Sequence, residues 1–348
     1  MTGIAIYTDS GYPKALTSLI LMLIGVLVSV LVLVSVSYLV EALRPVPKPP
    51  DTLTWAPGVH IHYTDLEGIK IRYIKTGTGP NLVLLHTLRT QLDLFEKVVP
   101  DLAAAFTVYA LDYPGHGYSD NPKARYDADF FVHSVEMFLD RLDLHDVVLC
   151  GVSIGGAIAL IMAGRRNARV TRVLPVNPYD YARGRGMTRS SLLGWLITVA
   201  SETAPIAGTV MRLRTFIIMK AVLEGGVADP RSIRPELLRE MYAVGNRPGH
   251  YKGFISLLRN AATWEAATEG YGSIDVPVCL IWGSKDWSRP HEREHDRILI
   301  PGAQMTTVDE GGHFLPLDRP REFTELIVRF AAGQQSGEDR PSGGSPWH

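Results

Sequence analysis

Apolar residues are distributed very unevenly along the chain. From Ala15 to Val40 no charged residue occurs, and LTSLILMLIGVLVSVLVLVSVSYLV is apolar on every side of a helix rather than along one stripe. The run exceeds the roughly 20 apolar residues that cross a bilayer, and core helices of globular proteins rarely lack a polar stripe for so long. The pattern predicts a membrane-anchoring helix. A secretory signal peptide with Ser35 or Ser37 near its cleavage site is the rival reading. The run is longer than the roughly 7–15 apolar residues of a signal core, which favours an uncleaved anchor. Lys14 lies on one side and Arg44 and Lys48 on the other, so charge assigns no membrane face to the remainder of the chain. RPVPKPP, residues 44–50, cannot continue a helix and reads as a stiff spacer.

Beyond the spacer, strand-like and helix-like periods alternate. HIHYTD (60–65) and IKIRYIK (69–75) read as a hairpin about Glu67-Gly68. NLVLLH (81–86), FTVYALDY (106–113), VVLCG (147–151), RVTRVLPV (169–176), PVCLIWG (277–283) and QMTTVDE (304–310) read as further strands. Helical segments are expected around Leu92 to Ala105, over 129–144 and over 321–333. This alternation predicts an α/β fold with a mostly parallel sheet and helices on both faces, in which chemistry gathers at the carboxyl ends of the strands. Between about Tyr179 and Ile274 the rhythm gives way to helices alone: SLLGWLITVA, PIAGTVMRLRTFIIMKAVLEGG, PELLREMYAVG and PGHYKGFISLLRNAATWEAA. The expected organisation is an N-terminal segment and transmembrane anchor (1–43), a Pro-rich linker (44–56), an α/β core (57–178 and 275–333), a helical cap (179–274) and a disordered tail (334–348).

Charge changes the picture only by exclusion. Thirty-five Lys and Arg against 36 Asp and Glu give a net charge of −1, so nothing points to a nucleic-acid partner. Cys150 and Cys279 sit in apolar strand-like runs and read as small core residues. No signal for an oligomeric state is present.

The chemistry centres on GVSIGG, residues 151–156, which matches G-x-S-x-G between a strand and a helix. A sharp turn there would expose the Ser153 hydroxyl at the top of the sheet, and small neighbours would let the turn close. A serine hydroxyl needs a base, and the base needs a carboxylate to orient it. In the required chain order, Asp286 follows the strand 277–283 in LIWGSKDWSRP. His313 follows the strand 304–310 in VDEGGHFLPLDRP. Asp180, just after the strand 169–176, is an alternative acid.

From Pro57 to Gly333 the chain resembles the α/β-hydrolase superfamily of the capped type, as in epoxide hydrolases, carbon–carbon bond hydrolases and related esterases. The resemblance is carried by DYPGHGYSD (112–120), GVSIGG, GSKDWSRP and GGHFLP. It implies Ser153 as nucleophile, Asp286 as acid and His313 as base. It also implies an oxyanion hole formed by the N–H groups of Ile154 and Leu88. The family's H-G-x-P segment is here His86-Thr87-Leu88-Arg89, with threonine for glycine and arginine for proline. Arg89 is expected at the surface; the alternative is that it faces the pocket and binds an acidic group of the substrate. Related enzymes that open epoxides or remove halide use aspartate at the elbow, whereas Ser153 points to acyl transfer.

Together with the apolar N-terminal run, the resemblance implies a membrane-anchored serine hydrolase, with no metal or organic cofactor, acting on a hydrophobic or lipid-like ester. Hydrolysis of a carbon–carbon, thioester or amide bond, and a catalytically silent binding protein, are the alternatives. HEREH (291–295) spells a zinc-helix motif, but Arg293, Glu294, Asp296 and Arg297 surround the pair, and the segment reads as a solvated helix beginning at Pro290. His86 and His116 are expected to be structural, and His250 to be packed within the cap or at its surface.

Overall fold

The computed structural model describes residues 14–333; the N-terminal 13 residues and the expected tail 334–348 lie outside it. Nine strands form one sheet: β1 (Thr52–Leu53), β2 (Ala56–Leu66), β3 (Ile69–Thr76), β4 (Asn81–Leu85), β5 (Thr107–Leu111), β6 (Val147–Val152), β7 (Val170–Val176), β8 (Cys279–Gly283) and β9 (Gln304–Val308). Their order is β1-β2-β3-β5-β4-β6-β7-β8-β9. The pairs β1–β2, β2–β3 and β3–β5 are antiparallel, and every pair from β5 through β9 is parallel.

Alternation along the central strands sends successive side chains to opposite faces. Val83, Leu85, Val147 and Leu149 pack with Phe131 and Phe138 of the helix Ala128–Arg141 and with the buried helix Ile154–Gly164. Leu82, Leu84, Val148 and Cys150 pack with Phe323 and Ile327 of the helix Pro320–Ala331. After β5 the chain returns to the far side of β4 to form β6. The loops following β4 and β6 diverge at this switch point.

Two expected helices are broken, for local reasons. The segment from Leu92 yields only a 3₁₀ turn, Leu92–Phe95, and a short helix, Val99–Leu102. Pro100 lacks the donor a continuous helix would need there. In the cap, which runs between β7 and β8, the long apolar segment splits into Ala204–Arg212 and Phe216–Glu224. Thr215 caps the second, its side chain accepting from Ile218 N.

The N-terminal helix, Lys14–Ala42, is docked at its C-terminal end. Arg212 Nε donates to Ser37 Oγ (2.9 Å), and its guanidinium lies 3.8 Å from the Tyr38 ring centroid. Glu41 pairs with Arg214 at 2.7 Å. The proline-rich stretch after it, expected as a stiff spacer, is tied to the cap through its first residue. Arg44 Nη2 donates to the Arg212 and Arg214 carbonyls (2.7 and 2.5 Å), and its Nη1 to Tyr242 Oη (3.1 Å). Arg44 thus satisfies the carbonyl that ends the helix Ala204–Arg212 and that of Arg214 in the turn beyond it. Eight residues later Thr52 and Leu53 join the sheet as β1.

A buried ionic cluster fixes the loops after β4 and β5. Asp112 accepts from Arg72 Nη1 (3.2 Å), Leu92 N (2.8 Å) and Tyr118 N (2.8 Å). Asp93 accepts from the same Arg72 Nη1 (3.2 Å) and from Trp55 Nε1 (2.7 Å). Removing one member of a buried pair strands the other charge. Asp112→Ala is therefore expected to cost about 3–5 kcal/mol of stability, read as a lowered midpoint in denaturant unfolding. A loss below about 1 kcal/mol would mean that the cluster does not hold these loops.

Candidate active site

Ser153 forms the junction of β6 and the helix Ile154–Gly164, with φ 59° and ψ −117°. A residue with a side chain enters that region only under constraint. Close approach supplies it. A Cβ on Gly151 would lie 2.1 Å from the Gly155 carbonyl oxygen, and one on Gly155 would lie 2.3 Å from that of Leu85. Ser153 N donates to Val176 O (2.9 Å), which ties the turn to β7. The serine is buried, and its Oγ has no hydrogen-bond partner among the described residues. Ile154 opens the helix, whose first N–H groups have no acceptor within it and concentrate partial positive charge there.

The other two polar residues meet at the ends of β8 and β9. His313 Nδ1 lies 2.5 Å from Asp286 Oδ1, with both side chains fully buried. Asp286 Oδ2 accepts from Ser288 N at 2.8 Å. Burial alone would raise the Asp286 carboxyl. The charge of His313, together with hydrogen bonds from His313 and Ser288, outweighs it and holds the group below the ordinary Asp value. An ionised carboxylate only accepts, so Nδ1 faces it with a proton, which leaves Nε2 as the ring nitrogen that can act as a base. Nε2 is buried and has no partner among the described residues.

Three residues to which sequence spacing gave no role hold this histidine. The Trp287 ring stacks on the imidazole, with centroids 3.8 Å apart and planes at 14°, and its Nε1 donates to Gly225 O of the cap (2.9 Å). Asn177 Nδ2 donates to the Gly312 and His313 carbonyls (3.0 Å each), while its Oδ1 accepts from Gly283 N (2.8 Å). Asp318 Oδ2 accepts from Gly312 N (2.9 Å) and from Ala228 N of the cap (2.8 Å). Trp287 adjoins Asp286, a weak signal; Asn177 and Asp318 act across loops distant in sequence.

The remaining candidates separate cleanly. Leu88 is buried in the loop after β4. Asp180 binds Tyr271 Oη (2.6 Å) through Oδ2, so it is Asp286 and not Asp180 that meets the histidine. His86 donates from Nδ1 to Thr87 O (2.7 Å) and accepts at Nε2 from Tyr113 N (3.4 Å), and burial keeps it neutral. His116 is pushed down to about 4, chiefly by burial. In HEREH, His291 and His295 are exposed and Glu292 pairs with Arg189 at 2.7 Å. The surface expectation for Arg89 is overturned. Its backbone takes φ 60°, which a proline ring could not adopt, and its side chain lies in an apolar cavity beneath the cap, among Met219 and Phe254.

Burial raises the Asp180 carboxyl to about 6, with Glu265 and Glu292 reinforcing the shift. A carboxyl raised above its unfolded value is compatible with the fold below about pH 4 and costs stability as pH rises through its folded value. Asp180→Asn is accordingly expected to raise the thermal midpoint at pH 8 and to leave it unchanged near pH 3. A lower midpoint at pH 8 would contradict the assignment.

The sequence family described as the alpha/beta hydrolase fold matches residues 80–320. An uncharacterized protein of Mycobacterium tuberculosis is 26% identical over 278 residues, covering 78% of this chain and 80% of that protein. Among solved structures, Cfl2 from Burkholderia cenocepacia superposes with a TM-score of 0.71 at 18% identity, over 81% of this chain and 99% of that one. The enol-lactonase from Burkholderia xenovorans LB400 gives 0.62 at 22%, over 78% and 100%. The family match spans well over half of the chain and takes in the parallel strands β4 to β9, the serine turn and the Asp286–His313 pair: this protein belongs to the alpha/beta hydrolase fold family.

Proposed function

We propose that the protein is a membrane-anchored serine hydrolase that cleaves hydrophobic carboxylic esters through Ser153, His313 and Asp286. The observation that carries this reading is the buried Asp286–His313 pair, with a free Nε2, at the same end of the sheet as a strained serine whose Oγ has no partner. His313 takes the proton of Ser153 as Oγ attacks the ester carbonyl, and returns it to the leaving alcohol. Water activated by the same histidine then releases the acid. The N–H groups of Ile154 and Leu88 hold the oxyanion. Serine–histidine hydrogen bonds of this kind commonly tighten only when substrate binds.

Three features favour an apolar ester met at a membrane. A cavity of about 240 Å³ under the cap is lined by Leu193, Ile197, Met211, Ile218, Val222 and Phe254. Leu192 and Ile217, 75% and 77% exposed, stand on the same cap helices, and Trp195 and Ile206 are also exposed. The helix Ala204–Arg212 packs against the N-terminal helix, whose most apolar 18-residue window has a mean hydropathy of 3.2 and no burial within the protein. An apolar surface of that extent requires cover, and a 29-residue helix is about 43 Å long, enough to cross a bilayer. The bond of Ser37 to the cap favours retention of the helix over its removal as a signal sequence.

A fluorophosphonate probe is expected to label the wild type and neither Ser153→Ala nor His313→Ala. Each change is expected to lower kcat/KM on a long-chain ester by roughly 10⁴–10⁶-fold, with no further loss in the double variant, because the residues act as one unit. Asp286→Asn should cost roughly 10⁴-fold. Unlabelled, folded wild type would overturn the hydrolase reading. For the membrane reading, a chain beginning at residue 51 is expected to co-sediment with phospholipid vesicles, and Ile217→Ser to weaken that association. A chain that stays wholly in the supernatant would refute contact between cap and membrane.

A further inference from the structure

The cavity beneath the cap has one polar feature that its walls do not explain. Arg89 lines it, half-buried as a residue, but with Nη1 sealed from solvent and without a partner among the described residues. Its Nη2 reaches only the Met219 sulfur (3.4 Å), and its guanidinium lies 4.6 Å from the Phe254 ring centroid. No carboxylate among the described residues answers the charge. The second guanidinium lining the cavity, Arg214, is matched by Glu41. The nearby imidazoles of His116 and His250 are both lowered by burial and neutral, and His250 Nδ1 is likewise enclosed and unpartnered. Burial and the Arg214 cation bring Arg89 down to about 9, which leaves it charged at neutral pH.

An enclosed cation without a counter-charge is unfavourable, and so is a non-glycine residue held at φ 60°. Both costs fall on one residue, and together they turn a charge inward that a surface position would have solvated. We propose that Arg89 is a specificity-determining residue: it receives the carboxylate of an amphiphilic substrate whose apolar portion fills the cap cavity. The planar guanidinium suits a carboxylate, and enclosure strengthens the pair. Leu196 and Val210, partly exposed, line the same cavity and form its apolar mouth. Because Leu88 directly precedes Arg89, the donor assigned to the oxyanion and the clamp for the carboxylate belong to one short loop. The substrate class is thus an ester bearing a carboxylate on an apolar chain. This deepens the serine-hydrolase reading and rests on it for the reaction, though not for the binding.

The test measures binding without turnover. Full-length Ser153→Ala protein in detergent is titrated calorimetrically with octanoate and with octanamide, its neutral analogue of the same shape. Octanoate is expected to bind at least tenfold more tightly, the range of a charge-assisted hydrogen bond in an enclosed site. Adding Arg89→Met or Arg89→Gln should bring the ratio to about one, and Arg89→Lys should retain part of it. Equal affinities in the Ser153→Ala parent would overturn the proposal, as would an undiminished preference in the Arg89→Met or Arg89→Gln proteins. Should those two fail to fold, the parent ratio and Arg89→Lys decide. Fluorophosphonate labelling of the wild type separates the two readings. Labelling without carboxylate preference removes Arg89 alone, and preference without labelling removes the hydrolase alone.

Discussion

The arrangement depends on how closely four segments approach at Ser153. The serine sits in an unfavourable backbone region because β6 must turn into a helix within one residue, while the Leu85 carbonyl of β4 presses on Gly155 and Val176 of β7 holds the serine amide. Each contact exists only in the observed parallel register. A one-residue slip of a neighbouring strand would send its side chains to the opposite face and remove the support. The geometry at Ser153 is therefore a property of the sheet, read out at one residue.

Asn177 extends that logic to the other half of the site. It follows β7 directly, and its one amide group spans the ends of β8 and β9, accepting from Gly283 and donating to Gly312 and His313. Buried polar groups are costly unless satisfied, so they are concentrated where loops must be held and not where strands already hold one another. Arg72, Asp93 and Asp112 follow the same pattern under the loops after β4 and β5. Trp287 joins the two layers, stacking on the histidine while bonding to the cap.

Much of this was legible from spacing. The alternation of periods predicts a parallel sheet with an inserted helical segment, and Ser153, Asp286 and His313 each follow a strand in the order the chemistry needs. What was not legible depends on partners remote along the chain. Arg89 looks like a surface residue until its backbone angle and the cap residues Met219 and Phe254 turn it inward. Asn177 looks like a loop residue until Gly312, 135 positions away, is seen beside it. The proline-rich stretch looks like a tether because nothing nearby reveals that Arg44 binds carbonyls 168 and 170 residues downstream. Periodicity reports which face of an element is covered, and is silent about which distant loop covers it.

The joint between the N-terminal helix and the cap also has a history in time. Glu41 leaves the ribosome 173 residues before its partner Arg214, an interval of roughly 10–35 s at ordinary rates of synthesis. Throughout it Ser37, Glu41 and Arg44 have nothing from the cap to bind. An apolar seam exposed for so long would invite misassembly with other nascent chains, whereas charged and hydroxyl groups wait in water at little cost. A polar joint lets the N-terminal helix and a part of the cap made well after it meet late at little cost.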